Sequence, residues 1–260
     1  MSRRAHPRLL LLILLASCTL VQAVSAETIQ REGVRVHFEG SLSPKRLPRQ
    51  GTRPITVTLG GRLVPTNRSQ PAPLRRIEVA LNRQGHLDFA GLPACRLEQI
   101  QPATSADALR ACGRAKVGEG RFFASVADPS ASPFPASGRL IAFNGREDGH
   151  PVLFAHVYGT EPLPASYTLS FSIHPSRGTF GTTLSAPMPR VPGNAGYITG
   201  IELTLHRTFS ARGARRSYLS AGCPLPAGFS SGPFPLARIT FDFMHLKLAK
   251  TLVRQCRAAG

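Results

Sequence analysis

The sequence predicts an all-β fold, an antiparallel β-sandwich of jelly-roll or elaborated immunoglobulin-like type with one short helix and two disulfides. Three observations carry this. Apolar and polar residues alternate with period two along roughly a dozen short segments. Turns rich in Gly, Pro and Ser separate those segments, and only one stretch carries helix signals. Four of the five cysteines lie beyond an N-terminal export signal, an even number that suits paired oxidation.

Taken in chain order, "GVRVHFEG" sets Val34, Val36 and Phe38 against Arg35, His37 and Glu39, a strand with one wet face. "ITVTLGGRL" (55–63) is the next strand, and "RRIEVALN" repeats the alternation with Ile77, Val79 and Leu81. "PATSADALRACG" is the helical stretch: Thr104 or Ser105 caps it, Asp107 suits its first turn and Gly113 follows its end. Strands are expected again at 115–126, 138–145 and 152–159, with a hairpin near Asn144 to Gly149 from its Asn-Gly and Asp-Gly pairs. Beyond them, "SYTLSFSIH", "GTFGTTLS", "AGYITGIELTLHRTF", "RRSYLSAG", "ARITFDFMHLKL" and "KTLVRQCR" each read as strand. "TFSARGARRSY" reads as a second hairpin with its tip at Arg212 and Gly213. The Pro/Ser-rich "DPSASPFPASG" (128–138) is excluded from a central strand; it is a loop within one domain spanning 27–260 or an internal boundary, and the lack of a repeat across it favours one domain.

Residues 1–26 combine Arg3, Arg4 and Arg8 with an apolar run from Leu9 and a small-residue end, which predicts a secretory signal peptide. The uninterrupted apolar run Leu9 to Ala16 is eight residues long. That is far short of the roughly 18 to 20 needed to span a bilayer, so no transmembrane segment is expected in the mature chain. "VSA" before Glu27 suits release by signal peptidase. "LASC" ending at Cys18 resembles a lipobox and would leave a lipid-anchored protein, but the apolar "TLVQAVSAE" after it is a poor tether, so a secreted or extracytoplasmic product is favoured. A twin-arginine hint in "SRR" lacks the apolar residues that should follow.

Removing those three arginines from the formal charge of +18 leaves +15 on the mature chain. Such a chain is drawn to anionic polymers of the cell envelope, though a composition rich in Arg, Ala, Gly and Pro also reflects a GC-rich genome. The cysteines Cys95, Cys112, Cys223 and Cys256 allow three pairings. Pairing Cys95 with Cys112 and Cys223 with Cys256 is favoured, because each pair brackets a compact local unit. No C-x-x-C or neighbouring His spacing supports a metal site, and no cofactor is expected.

"GFSSG" (228–232) matches the nucleophile-elbow pattern and would make Ser230 reactive. Its flanks, "CPLPA" and "PFPL", forbid the strand before it and the helix after it. Downstream, only Asp242 and His245 could complete a triad, and strand alternation would send them to opposite faces. A connecting loop running to a strand near Leu236 is therefore expected. Glu202, Thr204 and His206 share a strand face, with the acid and the imidazole about 13 Å apart, too far to hydrogen-bond. His156, Tyr158 and Glu161 form the densest polar cluster at a strand end. The best interaction surface is the basic group Arg207, Arg212, Arg215 and Arg216, with Phe209 and Tyr218 interleaved as stacking platforms. Its bland rival is a solvated tip in an arginine-rich chain. "NRS" at Asn67 is an N-glycosylation sequon by pattern only.

The runs "FNGREDGHPVLFAHVYGTEPLPASY" and "GIELTLHRTFSARGARRSYLSAGC" resemble exported, β-rich, uncharacterised proteins of GC-rich bacteria. The resemblance implies export and a disulfide-bearing β architecture, and brings no catalytic residue with it. The expectation is a non-enzymatic exported protein of the envelope or extracellular space that binds an anionic polymer or polysaccharide through the basic hairpin, with no specific nucleic-acid partner. The alternative is an exported hydrolase of polysaccharides or esters whose site does not show in the sequence.

Overall fold

Alternating polarity becomes strands because each strand can bury one face and wet the other. The computed structural model describes residues 26–67, 71–128, 131–161, 164–189 and 196–259. Residues 1–25 of the expected export signal, with the lipobox-like Cys18, and Arg68 and Ser69 of the sequon pattern lie outside them. The first part of the chain forms β1 (Glu27–Arg31), β2 (Val34–Ser43), β3 (Arg46–Pro48), β4 (Arg53–Pro54), β5 (Thr56–Pro65), β6 (Leu74–Asn82) and β7 (Gly85–Leu87). The helix α1 (Ser105–Cys112) precedes β8 (Lys116–Asp128), β9 (Ala131–Glu147), β10 (His150–Gly159), β11 (Ala165–Pro175) and β12 (Phe180–Pro187). Then follow β13 (Gly196–Leu205), β14 (Thr208–Ala211), β15 (Ala214–Ser217), β16 (Leu219–Ala221), β17 (Ser231–Phe243) and β18 (Lys247–Ala259).

The all-β expectation holds. One sheet of thirteen strands runs β1-β2-β5-β13-β8-β9-β10-β11-β12-β6-β17-β18-β3, and its described pairings are antiparallel except for β18 with β3. This sheet curls until its far strands face its first ones, so the two layers are opposite walls of a single sheet. Phe38 on β2 meets Phe241 on β17, ring centroids 5.4 Å apart. Arg254 on β18 grips Glu27 on β1 at 2.6 Å and donates to the Gly40 carbonyl on β2. Between the walls lies the main core, including Val36, Phe38, Leu153, Ile239 and Leu252. A small sheet, β4-β16-β7, lies at one end of the curl, with Leu219 and Ala221 buried in that core.

Outside the curl, the 95–115 segment covers β9 and β10. Thr104 caps α1 by accepting the Asp107 N–H at 3.1 Å, and the Cys95–Cys112 disulfide ties both ends of the segment together. Ile100, Ala108 and Cys112 pack there on Ile141, Phe143 and Phe154. β10 is thereby buried on both faces. The second disulfide, Cys223–Cys256, holds the chain after β16 against β18.

Several local expectations are corrected. The turn between β9 and β10 is Asp148–Gly149, both at positive φ (49° and 79°), while Asn144 is buried within β9 and donates from Nδ2 to the Pro93 carbonyl. Residues 131–138 belong to β9 despite Pro133 and Pro135. They overhang: β10 pairs with β9 only from Gly138 onward, and prolines two apart remove donors from the same, unpaired side. The same rule admits Pro233 and Pro235 to β17, which starts at Ser231 and not near Leu236, because β6 pairs with β17 only from Ala237. "ARITFDFMHLKL" is two strands, turned at 243–246, where Phe243 N–H bonds the Leu246 carbonyl at 2.8 Å. "AGYITGIELTLHRTF" breaks at His206, and "RRSYLSAG" breaks at Tyr218.

Candidate functional site

β13 leaves the large sheet at Leu205, and the His206 N–H is held by the Val117 carbonyl at 2.9 Å. The chain then folds into the β14–β15 hairpin, pairing Thr208 with Ser217, Phe209 with Arg216 and Ser210 with Arg215. Its tip, Arg212–Gly213, has both residues at positive φ (52° and 75°), the backbone of a two-residue turn that matches strand twist. Cross-strand partners share a face, so the hairpin has two unlike sides. Phe209, Ala211 and Arg216 face inward; Phe209 packs on the main core, and Ala211 lies against Gly91. Ser210 and Arg215 face out.

This geometry divides the expected basic surface. Arg216 is ion-paired with Asp88 at 3.0 Å. Arg207 donates to the Arg114 carbonyl at 3.3 Å, and its own carbonyl accepts the Tyr218 N–H. Tyr218 is 0% exposed, its hydroxyl without a hydrogen-bond partner among the described residues and its pKa pushed up by burial. It therefore offers no ring to a ligand, which corrects the expected stacking role. Arg212 and Arg215 remain, exposed and with no carboxylate within ion-pair distance among the described residues. Sequence reasoning could not divide the group, because which side of a hairpin docks is a tertiary fact.

The catalytic candidates are not brought together. Ser230 precedes β17, where its carbonyl accepts the Ala258 N–H at 3.0 Å. Asp242 and His245 are at the opposite end of that strand, about 40 Å away at 3.3 Å per residue. His245 sits in the turn after β17. Glu202 pairs with Arg62 at 3.6 Å, and Thr204 meets Thr58 at 3.1 Å, as on an ordinary solvated sheet face. His156 is 0% exposed beneath the 95–112 segment, its Nδ1 3.3 Å from Thr168 Oγ1. Burial pushes its pKa down, opposed more weakly by the Ile100 backbone. Among the described residues no hydrogen bond or ion pair joins it to Glu161, which is exposed after β10. The four paired cysteines are occupied by one another, and no group of three metal-ligating side chains occurs among the described residues.

One feature of the concave face went unread in the sequence. Between the ends of β8, β9, β10, β11 and β13 opens a cleft of about 540 Å³, lined by Phe122, Ala124, Ala136, Val157, Leu169 and Met188 among others. Glu161, Ser137, Tyr167 and Tyr197 stand among its polar lining. Burial pushes the Tyr167 hydroxyl up in pKa. A second polar hollow adjoins it, sharing Glu161 and adding Thr160 and Thr199. The legible signal was "VLFAHVYG", which is apolar on both faces and so must be covered on both sides.

Compared with known proteins, the chain matches no family model, no curated sequence and no solved structure.

Proposed function

We propose that this is an exported, non-enzymatic binding protein of the cell envelope or extracellular space that holds an anionic polymer at the tip of the β14–β15 hairpin. The observation that carries the reading is the pair Arg212 and Arg215, exposed on a turn of fixed backbone and free of carboxylate partners among the described residues. Guanidinium forks match sulfate, phosphate and carboxylate oxygens. A mature charge of +15 would draw such a polymer from a distance. Export is supported by the N-terminal signal and is compatible with two disulfides. β1 begins at Glu27, so cleavage after Ala26 would remove nothing that the sheet uses.

The test is retention on immobilised heparin and on teichoic acid across a salt gradient, for the wild type and for Arg212→Glu/Arg215→Glu. The expected result is retention that falls steeply with salt, with the double variant eluting at clearly lower salt. Equal retention of the two proteins would remove the hairpin from the reading. Absence of salt-dependent retention on either polymer would end it.

A further inference from the structure

The cleft between β8, β9, β10, β11 and β13 is lined mostly by apolar side chains. Along β10, Leu153, Ala155, Val157 and Gly159 face the concave side, because their register partners on β11 are Phe171, Leu169, Tyr167 and Ala165. Leu153, Ala155 and Phe171 line a separate void of about 90 Å³ deeper in the curl, which shares no lining residue with the cleft, whereas Val157, Leu169 and Tyr167 line the cleft itself. Of the four β10 residues, only Val157 and Gly159 line the cleft, whose apolar lining continues over Phe122, Leu169, Met188 and Ile198 and suits an alkyl chain.

The mouth decides the head group. Among the described lining residues of the cleft and the adjoining hollow, Glu161 is the only charged one. The others that are polar carry hydroxyls: Ser125, Ser137, Ser166, Thr160, Thr199 and the two tyrosines. An anionic head would meet the Glu161 carboxylate at close range. A cationic head would approach against the field of a mature chain whose net charge is +15. A neutral head rich in hydroxyls avoids both penalties, donating to Glu161 and exchanging hydrogen bonds with the serine, threonine and tyrosine hydroxyls.

We infer that the cleft binds a neutral amphiphile, with its alkyl chain on the cleft's apolar lining and a polyhydroxylated head at Glu161. A cleft of this volume is within the usual range of small-molecule sites, apolar with a few polar groups at one side. Along β13, nine residues and about 30 Å separate Gly196 at the cleft from Leu205, beyond which the chain enters the β14–β15 hairpin. The site stands independently of the polymer-binding reading.

The experiment is calorimetric titration of the folded protein with dodecyl maltoside below its micelle concentration, with laurate and dodecylamine as comparison arms. Ala124 and Ala136 face each other across β8 and β9 and both line the cleft, so Ala136→Trp and Ala124→Phe are the blocking variants. Circular dichroism and Tm identify which variants retain the fold. Saturable dodecyl maltoside binding is expected, weakened at least tenfold in a folded blocking variant and unchanged in Arg212→Glu/Arg215→Glu. The site is refuted by a lack of saturable binding to the wild type, or by wild-type affinity in both folded blocking variants. Laurate or dodecylamine binding more tightly than the maltoside refutes the head-group assignment.

Discussion

His156 shows how a residue's place on a strand can be legible while what surrounds it is not. Its place on β10 was legible, and so was its shared side with Tyr158. What enclosed it was the 95–112 segment, packed there by a disulfide and by Ile100 and Ala108. Burial favours the neutral ring, so the folded pKa lies below the ordinary value of about 6.5. The unfolded chain then binds a proton first as the pH falls. Stability from this group is complete above about 6.5 and is lost progressively as pH drops below that value towards the lower folded pKa. The Tm of the wild type should decline between pH 7.5 and 5, and His156→Gln should flatten that decline. Identical pH profiles for the two proteins would contradict this. Tyr218 carries the same lesson: an aromatic between arginines reads as a stacking platform, yet its backbone is held by Arg207 and its ring is in the core.

At the scale of elements, alternation made most strands legible, while their breaks were not. "FMHL" at 243–246 turns without Gly, Asn or Asp, so no turn signal marked it. The proline stretches misled in the other direction, because a proline is excluded only where its strand is paired on the side it cannot donate to. Curling of the sheet depends on register shifts in β8, β13 and β17 and on close approach of backbones. Gly120 on β8 is the sharpest case: a Cβ there would lie 1.8 Å from the Glu202 carbonyl oxygen on β13. Neither backbone can retreat without breaking the ladder. Gly120→Ala should therefore destabilise by about 1–3 kcal/mol, measured by urea unfolding. A stability equal to wild type would mean that β8 and β13 separate more easily than the close approach implies.

At the scale of the whole molecule, closure rests on contacts between strands at opposite ends of the sheet. Arg254 and Glu27 are the polar part of that closure, with side chains only 14% and 19% exposed. Removing one partner leaves the other charge half-buried, and such losses cost about 3 kcal/mol where burial is deep. Arg254→Met should lower stability by a few kcal/mol on that scale, and Glu27→Gln should cost less because an amide oxygen can still accept from the guanidinium. Denaturant unfolding of both variants checks the order; equal and negligible losses would show that apolar packing alone closes the curl. The same closure leaves the cleft beside the end of β10.

The sequence by itself determined the all-β class, one helix capped at Thr104 or Ser105 and the tip of the basic hairpin, and it favoured the observed one of three cysteine pairings. Each of these depends on neighbours along the chain: period-two alternation, side-chain capping, short loop closure and the positive-φ demand of a tight turn. Only the tertiary structure decided that the layers are one curled sheet, that Arg216 and Tyr218 turn inward while Arg212 and Arg215 stay out, and that Ser230 is a strand length from its would-be partners. It also decided where an apolar cleft opens. Those outcomes depend on which faces meet across the sheet, and alternation records that a strand has two faces without recording what each one finds.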